Sequence, residues 1–416
     1  MPKRLYLKLW LSILALIAAC SPLTENQPQT VQQSEVLSGQ LVLWTSTLDN
    51  LWTESILTKF KEGVSEAVIE FSDLYDQVEI VIEFIPQDQL VEEFVTQVNR
   101  GFGPDLVLTN ARNIPVLSQA GVLRDLSDYE IEVASFRSEA LEQVHFQGKL
   151  YGWPMFLHTQ VLCYNKAKVK QLPTTLSELR SQARLGYSVG IVSGFGPTFW
   201  GTQIFGGELF DQNGRVILER GQGWAQWMEW LKAAKDDPNF ILSADAPALQ
   251  EAFTEGRLAY TVCYSAWIPA FRKVLGEQKF GVTLLPGAAN RPAGPTIEPS
   301  VLLFNQASNG NQAYLALKFA QFFTNVAQQR KTVTELQALI PVNNDVDVDS
   351  RLFPIQGVLQ KQSQTGIALP LNTRQKVQDI FRYADILYEQ VIAGEMQPDK
   401  AATQLAERFN AELDQP

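Results

Sequence analysis

The sequence predicts a two-lobed α/β protein with mainly parallel sheets, carried behind an N-terminal leader. Three observations predict it. Short β-branched runs alternate with helix-spaced segments from Gln40 to Thr109. The same alternation resumes between Tyr187 and Phe304. The body that follows the leader is about 375 residues long, more than one compact core usually holds.

The leader comes first. Lys3, Arg4 and Lys8 make a basic start, and Leu9 to Ala19 is apolar apart from Ser12. This is the pattern of a secretory signal, residues 1–19. The run is too short to span ~30 Å of hydrocarbon, which takes roughly 20 residues. It closes on Ile17-Ala18-Ala19-Cys20. Small residues before a cysteine resemble a bacterial lipobox, which implies cleavage before Cys20 and its diacylation; the plainer alternative is an ordinary signal with a chance cysteine. Residues 20–39 are rich in Gln, Ser, Thr and Pro. With so few apolar positions they cannot bury enough surface to fold, and they read as a flexible tether.

The elements of the body follow in order. Gln40 to Trp44 reads as a buried strand ending in the polar loop Thr45-Ser46-Thr47-Leu48-Asp49. Leu57, Phe60 and Val64 have helical spacing. Val78 to Phe84 is a second strand, Leu90, Phe94, Val95 and Val98 mark a second helix, and Asp105 to Thr109 is a third strand. In parallel sheets ligands sit beyond the carboxyl ends of the strands, which singles out the loop at Ser46–Asp49 and the segment Asn110-Ala111-Arg112-Asn113. Further strands are expected at Tyr187–Val192, Leu258–Tyr264, Phe280–Leu285 and Val301–Phe304, and a helix runs through Trp224, Trp227, Met228 and Leu231. The tail is helical over Tyr314–Thr324, Arg374–Ala393 and Pro398–Leu413.

Charge narrows the function classes. Loss of the leader removes three of 34 basic residues, so 31 face 45 acidic ones, a net −14. Such a balance suits no nucleic acid. Two histidines with no CxxC or HxxxH spacing make a zinc centre unexpected, and no cofactor is expected. Cys163 and Cys263 sit in apolar contexts and read as two buried thiols, although an oxidising compartment leaves a disulfide open. No phosphate-binding Walker loop is present, and no nucleophile elbow or glycosidase carboxylate pair is expected. The chain is therefore read as a non-enzyme.

A family resemblance then appears. Gly103-Pro104-Asp105 leading to Leu117–Leu126, Gly148–Pro154 with Leu162–Lys166, Leu172–Leu179, and Ala252–Thr261 with Phe280–Gly287 resemble, in order, the segments of maltose-type extracellular solute-binding proteins of bacterial ABC sugar importers. The resemblance implies the two-lobed periplasmic-binding-protein type II fold. One lobe is expected from 40–157 with 299–325 and the other from 158–298 with 326–416. Hinge closure would trap a sugar or sugar-like compatible solute, and a permease of ABC type would receive it from a lipid-anchored monomer. The site implied combines Thr47, Asp49, Asn110 and Arg112 of the first lobe with His158 at the first crossing. From the second lobe it takes Phe195, Gly196, Thr198 and Trp267, then Glu298 at the second crossing and Phe381 and Arg382 on a late helix. His158 stands where the family carries a sugar-contacting glutamate, and Trp267 falls one residue after the family's stacking tryptophan. A polyamine or ferric-iron binder of related fold is the alternative.

Overall fold

The computed structural model describes residues 37–46, 54–129, 133–369 and 374–413. Thr47, Asp49 and Cys20 lie outside them.

The first lobe is built on a seven-stranded sheet. Gly39–Thr45 pairs in parallel with Val78–Phe84 on one side and Leu106–Asn110 on the other. Thr296–Phe304 then runs antiparallel to Leu106–Asn110 and to Gly152–His158, and Ile340–Pro341 closes that edge. Both faces are covered. Trp44 meets Phe94 of the helix Gln87–Asn99, and Phe71 of the helix Glu54–Leu74 meets Phe319 and Phe322 of the helix Gly310–Thr324. Burial on both sides explains the near-continuous apolar runs of the strands.

The second lobe carries a five-stranded sheet in the order Phe280–Thr283, Gln160–Asn165, Tyr260–Tyr264, Val189–Val192, Phe240–Ser243. The last three are parallel, and Gln160–Asn165 is antiparallel to both its neighbours. Alternation decides what each face touches. Val161, Cys163 and Cys263 face a cluster with Phe253, Phe271 and Phe280, while Leu162, Tyr260 and Val262 face one with Trp200, Trp227 and Tyr388.

Glycine and capping signals landed where local chemistry put them. Gln147 and Gly148 both have positive φ in the two-residue turn between His145–Phe146 and Lys149–Leu150, the geometry hairpins favour. Thr175 and Glu178 form a capping box at the start of the helix Leu176–Arg184, which contributes about 1 kcal/mol.

The chain crosses between lobes at His158 and Thr159, where one strand ends in the first sheet and the next begins in the second. It returns along Thr296–Phe304. One expected boundary needs correction. Residues 326–344, expected in the second lobe, pack on the first. Gln329 donates to the Met155 carbonyl at 2.5 Å, Asn343 donates to the Thr324 carbonyl at 3.0 Å, and Ile340–Pro341 extends the first sheet. The lobes also touch through two helix pairs: Glu54–Leu74 against Ile268–Leu275, and Ile114–Gln119 against Arg374–Ala393.

Candidate functional site

The crossing strands place three candidate residues together. Arg112 sits in the turn after Leu106–Asn110, and Glu298 lies opposite His158 in the strand register. The guanidinium grips Glu298 with both arms: Nε donates to Oε1 at 3.1 Å and Nη2 to Oε2 at 2.5 Å. The pair is half-exposed, so water screens much of its attraction. Asn110 is buried opposite Ser300 at the same strand end.

His158 lies in the seam itself. Burial pushes its imidazole down to about 4, against the opposing pull of the Glu298 charge. The ring is therefore neutral at pH 7, able to donate from one nitrogen and accept at the other. Its Nε2 is out of solvent and has no hydrogen-bond partner. The folded value lies below the ordinary 6.5, so the unfolded chain takes up the proton first as pH falls. Stability from this group is complete above about pH 6.5 and drains away towards pH 4, by about 3 kcal/mol at the limit. In His158→Gln that slope should flatten; urea melts across this window measure it, and an unchanged slope would show that the ring is solvated.

A cavity of about 130 Å³ adjoins His158, lined by residues of both lobes. Leu108, Phe156 and Ser300 supply its floor, Ala67 and Glu70 one wall, and Ala266 and Pro269 of the second lobe its end. Glu70 closes the rim by accepting from Gln328 at 2.8 Å and pairing with Lys331, contacts that hold its carboxyl below the usual range. Polar atoms without partners gather near this seam. Besides His158 Nε2 they are Thr159 Oγ1, Trp267 Nε1, and Thr45 Oγ1 on the strand beside Leu108. Each such atom costs ~1–3 kcal/mol if left unpaired.

The other candidates divide differently. Phe195 and Thr198 were expected to face the ligand, but both are buried within the second lobe. The Phe195 ring packs edge-on against Phe381 and at a tilt against Phe199, and the Thr198 hydroxyl donates to the Gly194 carbonyl at 2.6 Å. A Cβ on Gly196 would stand 3.2 Å from the Phe381 ring, so this loop and the late helix are packed face to face. Trp267 is fully buried, edge-on to Tyr264 and Phe271. One turn, Ser265–Trp267, aims Ala266 at the cavity and sends the indole behind it. The displacement by one residue thus turns a stacking ring into a core ring. Arg382 pairs with Asp379 on the exposed surface of its own helix.

The sequence did not single out Thr45, Thr159, Ala266 or Asp385. Asp385 accepts from the Phe195 amide at 2.7 Å and so pins the 194–198 loop; burial raises its carboxyl above the usual range. The two residues are 190 apart, and nothing local announces the contact. Cys163 and Cys263 form a disulfide, not two thiols, because Cys163 opposite Thr261 and Cys263 opposite Val161 share one sheet face with Cα atoms 5.9 Å apart. The run Gly186-Tyr187-Ser188-Val189-Gly190 does spell a G-x-S-x-G motif, contrary to expectation. A nucleophile elbow follows a strand and opens a helix; Ser188 instead precedes the strand Val189–Val192 and donates to the Arg257 carbonyl at 2.8 Å.

Two α/β lobes joined by crossing strands, with a cavity at the seam between them, have the architecture in which solutes can be held between hinged lobes. The chain belongs to the bacterial extracellular solute-binding protein family, whose model matches residues 66–351. It is 22% identical to the galactooligosaccharide-binding protein of Bacillus subtilis over 95% of this chain and 94% of that one. Identity to the maltotriose-binding protein of Pyrococcus abyssi is 27%, over 76% of this chain and 69% of the other. Among solved structures, the GacH receptor of Streptomyces glaucescens superposes with a TM-score of 0.75 at 18% identity, covering 90% of this chain and 98% of that receptor. The maltotriose-binding protein of Thermus thermophilus gives 0.72 at 20% identity, covering 90% and 100%. These likenesses establish the type II periplasmic-binding fold expected from the sequence.

Proposed function

We propose that this protein is the extracytoplasmic capture subunit of an ABC importer, anchored as a monomer through a lipidated Cys20, and that its solute is a sugar or oligosaccharide. One observation carries the reading. Three buried polar atoms at the interlobe seam, on Thr45, His158 and Thr159, have no partner within the protein. A solute rich in hydroxyls both donates and accepts, and so can satisfy such a set. Arg112 and Glu298 beside it supply the planar, charged groups that bind vicinal hydroxyls in pairs. The ligands named for the relatives, galactooligosaccharide and maltotriose, support the same class.

Thermal melting against a panel of mono- to tetrasaccharides tests it. A true ligand at 100 times its Kd stabilises by ~2.7 kcal/mol, and calorimetric titration then gives its affinity. Arg112→Ala should weaken that affinity by more than tenfold, about 1.4 kcal/mol, with little loss of stability, because the ion pair is half-exposed. A panel without any shift would remove the sugar reading, and polyamine or ferric-iron titrations would then decide between the remaining solutes. The anchor is tested in the native host, where Cys20→Ala should move the protein from the membrane fraction to the soluble one.

A further inference from the structure

We infer that the solute carries an apolar portion, as a glycoside with an alkyl or aryl aglycone does, and that the interlobe cavity receives it. The inference rests on the sugar-binding reading above and narrows it. Most of the cavity surface is apolar, from Val64 and Ala67 of one helix, Leu108 and Phe156 of the sheet, Leu339, and Pro269 of the second lobe, although the polar side chains of Glu66, Glu70, Gln328, Lys331, Thr332 and Glu335 also border it. Among the described residues lining it there is no Trp or Tyr, the flat amphipathic rings on which sugar faces stack. The position just ahead of the buried Trp267 is Ala266, which leaves room where a ring would fill space.

The apolar surface of the cavity adjoins a cluster of polar groups. The unpaired atoms of Thr45, His158 and Thr159, and the Arg112–Glu298 pair, belong to the crossing-strand end. Sugar hydroxyls pressed onto the apolar part of the wall would lose water without gaining a hydrogen bond there, which disfavours filling the whole cavity with sugar. Its volume, about 130 Å³, is close to the ~150 Å³ apolar cavity that holds a benzene ring. A phenyl group or a chain of a few methylenes fits that space.

Calorimetric titration of the mature protein with methyl, butyl and phenyl glucosides and galactosides tests the inference. Affinity should rise about fourfold for each buried methylene, and the phenyl glycoside should bind more tightly than the methyl one. Ala67→Leu, which fills the wall from a helix surface without loss of helix propensity, should erase this gain, leaving butyl and phenyl glycosides no tighter than methyl ones. Ala266→Leu should do the same from the other lobe. Equal affinities across the wild-type series overturn the apolar subsite while leaving the sugar reading intact. Failure of every sugar and glycoside to bind overturns both. The wild-type series decides by itself should either variant misfold.

Discussion

Reducing the Cys163–Cys263 bond should lower unfolding stability by about 2–5 kcal/mol, the range seen when native disulfides are removed. The bond closes a loop across a sequence separation of 100 residues, and chain-entropy arguments put such a loop near ~4.7 kcal/mol. It links the neighbouring strands Gln160–Asn165 and Tyr260–Tyr264 at the middle of the second lobe's sheet. Both sulfurs are fully buried, so reductant reaches them only when the lobe opens. Denaturant melts of oxidised protein, of protein reduced while unfolded, and of a Cys163→Ala/Cys263→Ala variant give the comparison. The two thiol-altered forms should agree with each other and fall below the oxidised form. Coincident midpoints for all three would mean that the bond constrains nothing. A disulfide also belongs to an extracytoplasmic protein, so its presence agrees with the family's location.

Local signals made much of the fold legible. Val78–Phe84, Arg374–Ala393 and Pro398–Leu413 have the bounds their apolar spacing predicts, because burial of a repeating face needs no knowledge of the partner. Gly121 stops its helix with φ +71, as a residue without Cβ can. The crossing strand was harder to read. It begins at Thr296, not Val301, because Pro299 and Glu298 interrupt the apolar run. Proline is tolerated there near an irregularity between Ser300 and Val301, at the seam where the strand leaves one lobe for the other. Contacts across long separations left no local mark. Arg112 and Glu298 were both candidates, but their ion pair spans 186 residues and depends on sheet order. The disulfide depends on register between strands in the same way. Direction was the least legible property: Phe195 and Trp267 lie in the expected segments, yet a single turn decides whether a ring meets a cleft or a core.

Trp267 shows the consequence. Were its ring a ligand platform, Trp267→Ala would weaken binding and leave folding untouched. The structure instead buries the whole side chain between Tyr264 and Phe271. Truncation should cost about 3–5 kcal/mol, through lost transfer energy and the cavity left behind. Trp267→Phe separates packing from hydrogen bonding. It gives up part of the ring volume but also removes a buried N–H that has no partner in the protein. Since an unpaired buried donor costs ~1–3 kcal/mol, the two effects oppose, and the phenylalanine variant should melt much closer to wild type than the alanine one. If the solute takes up that N–H on binding, the same variant should bind sugar more weakly despite near-normal stability. Denaturant melts of both variants with sugar titrations alongside decide the matter. An alanine variant as stable as wild type would mean that the lobes swing far enough apart to leave the ring in water.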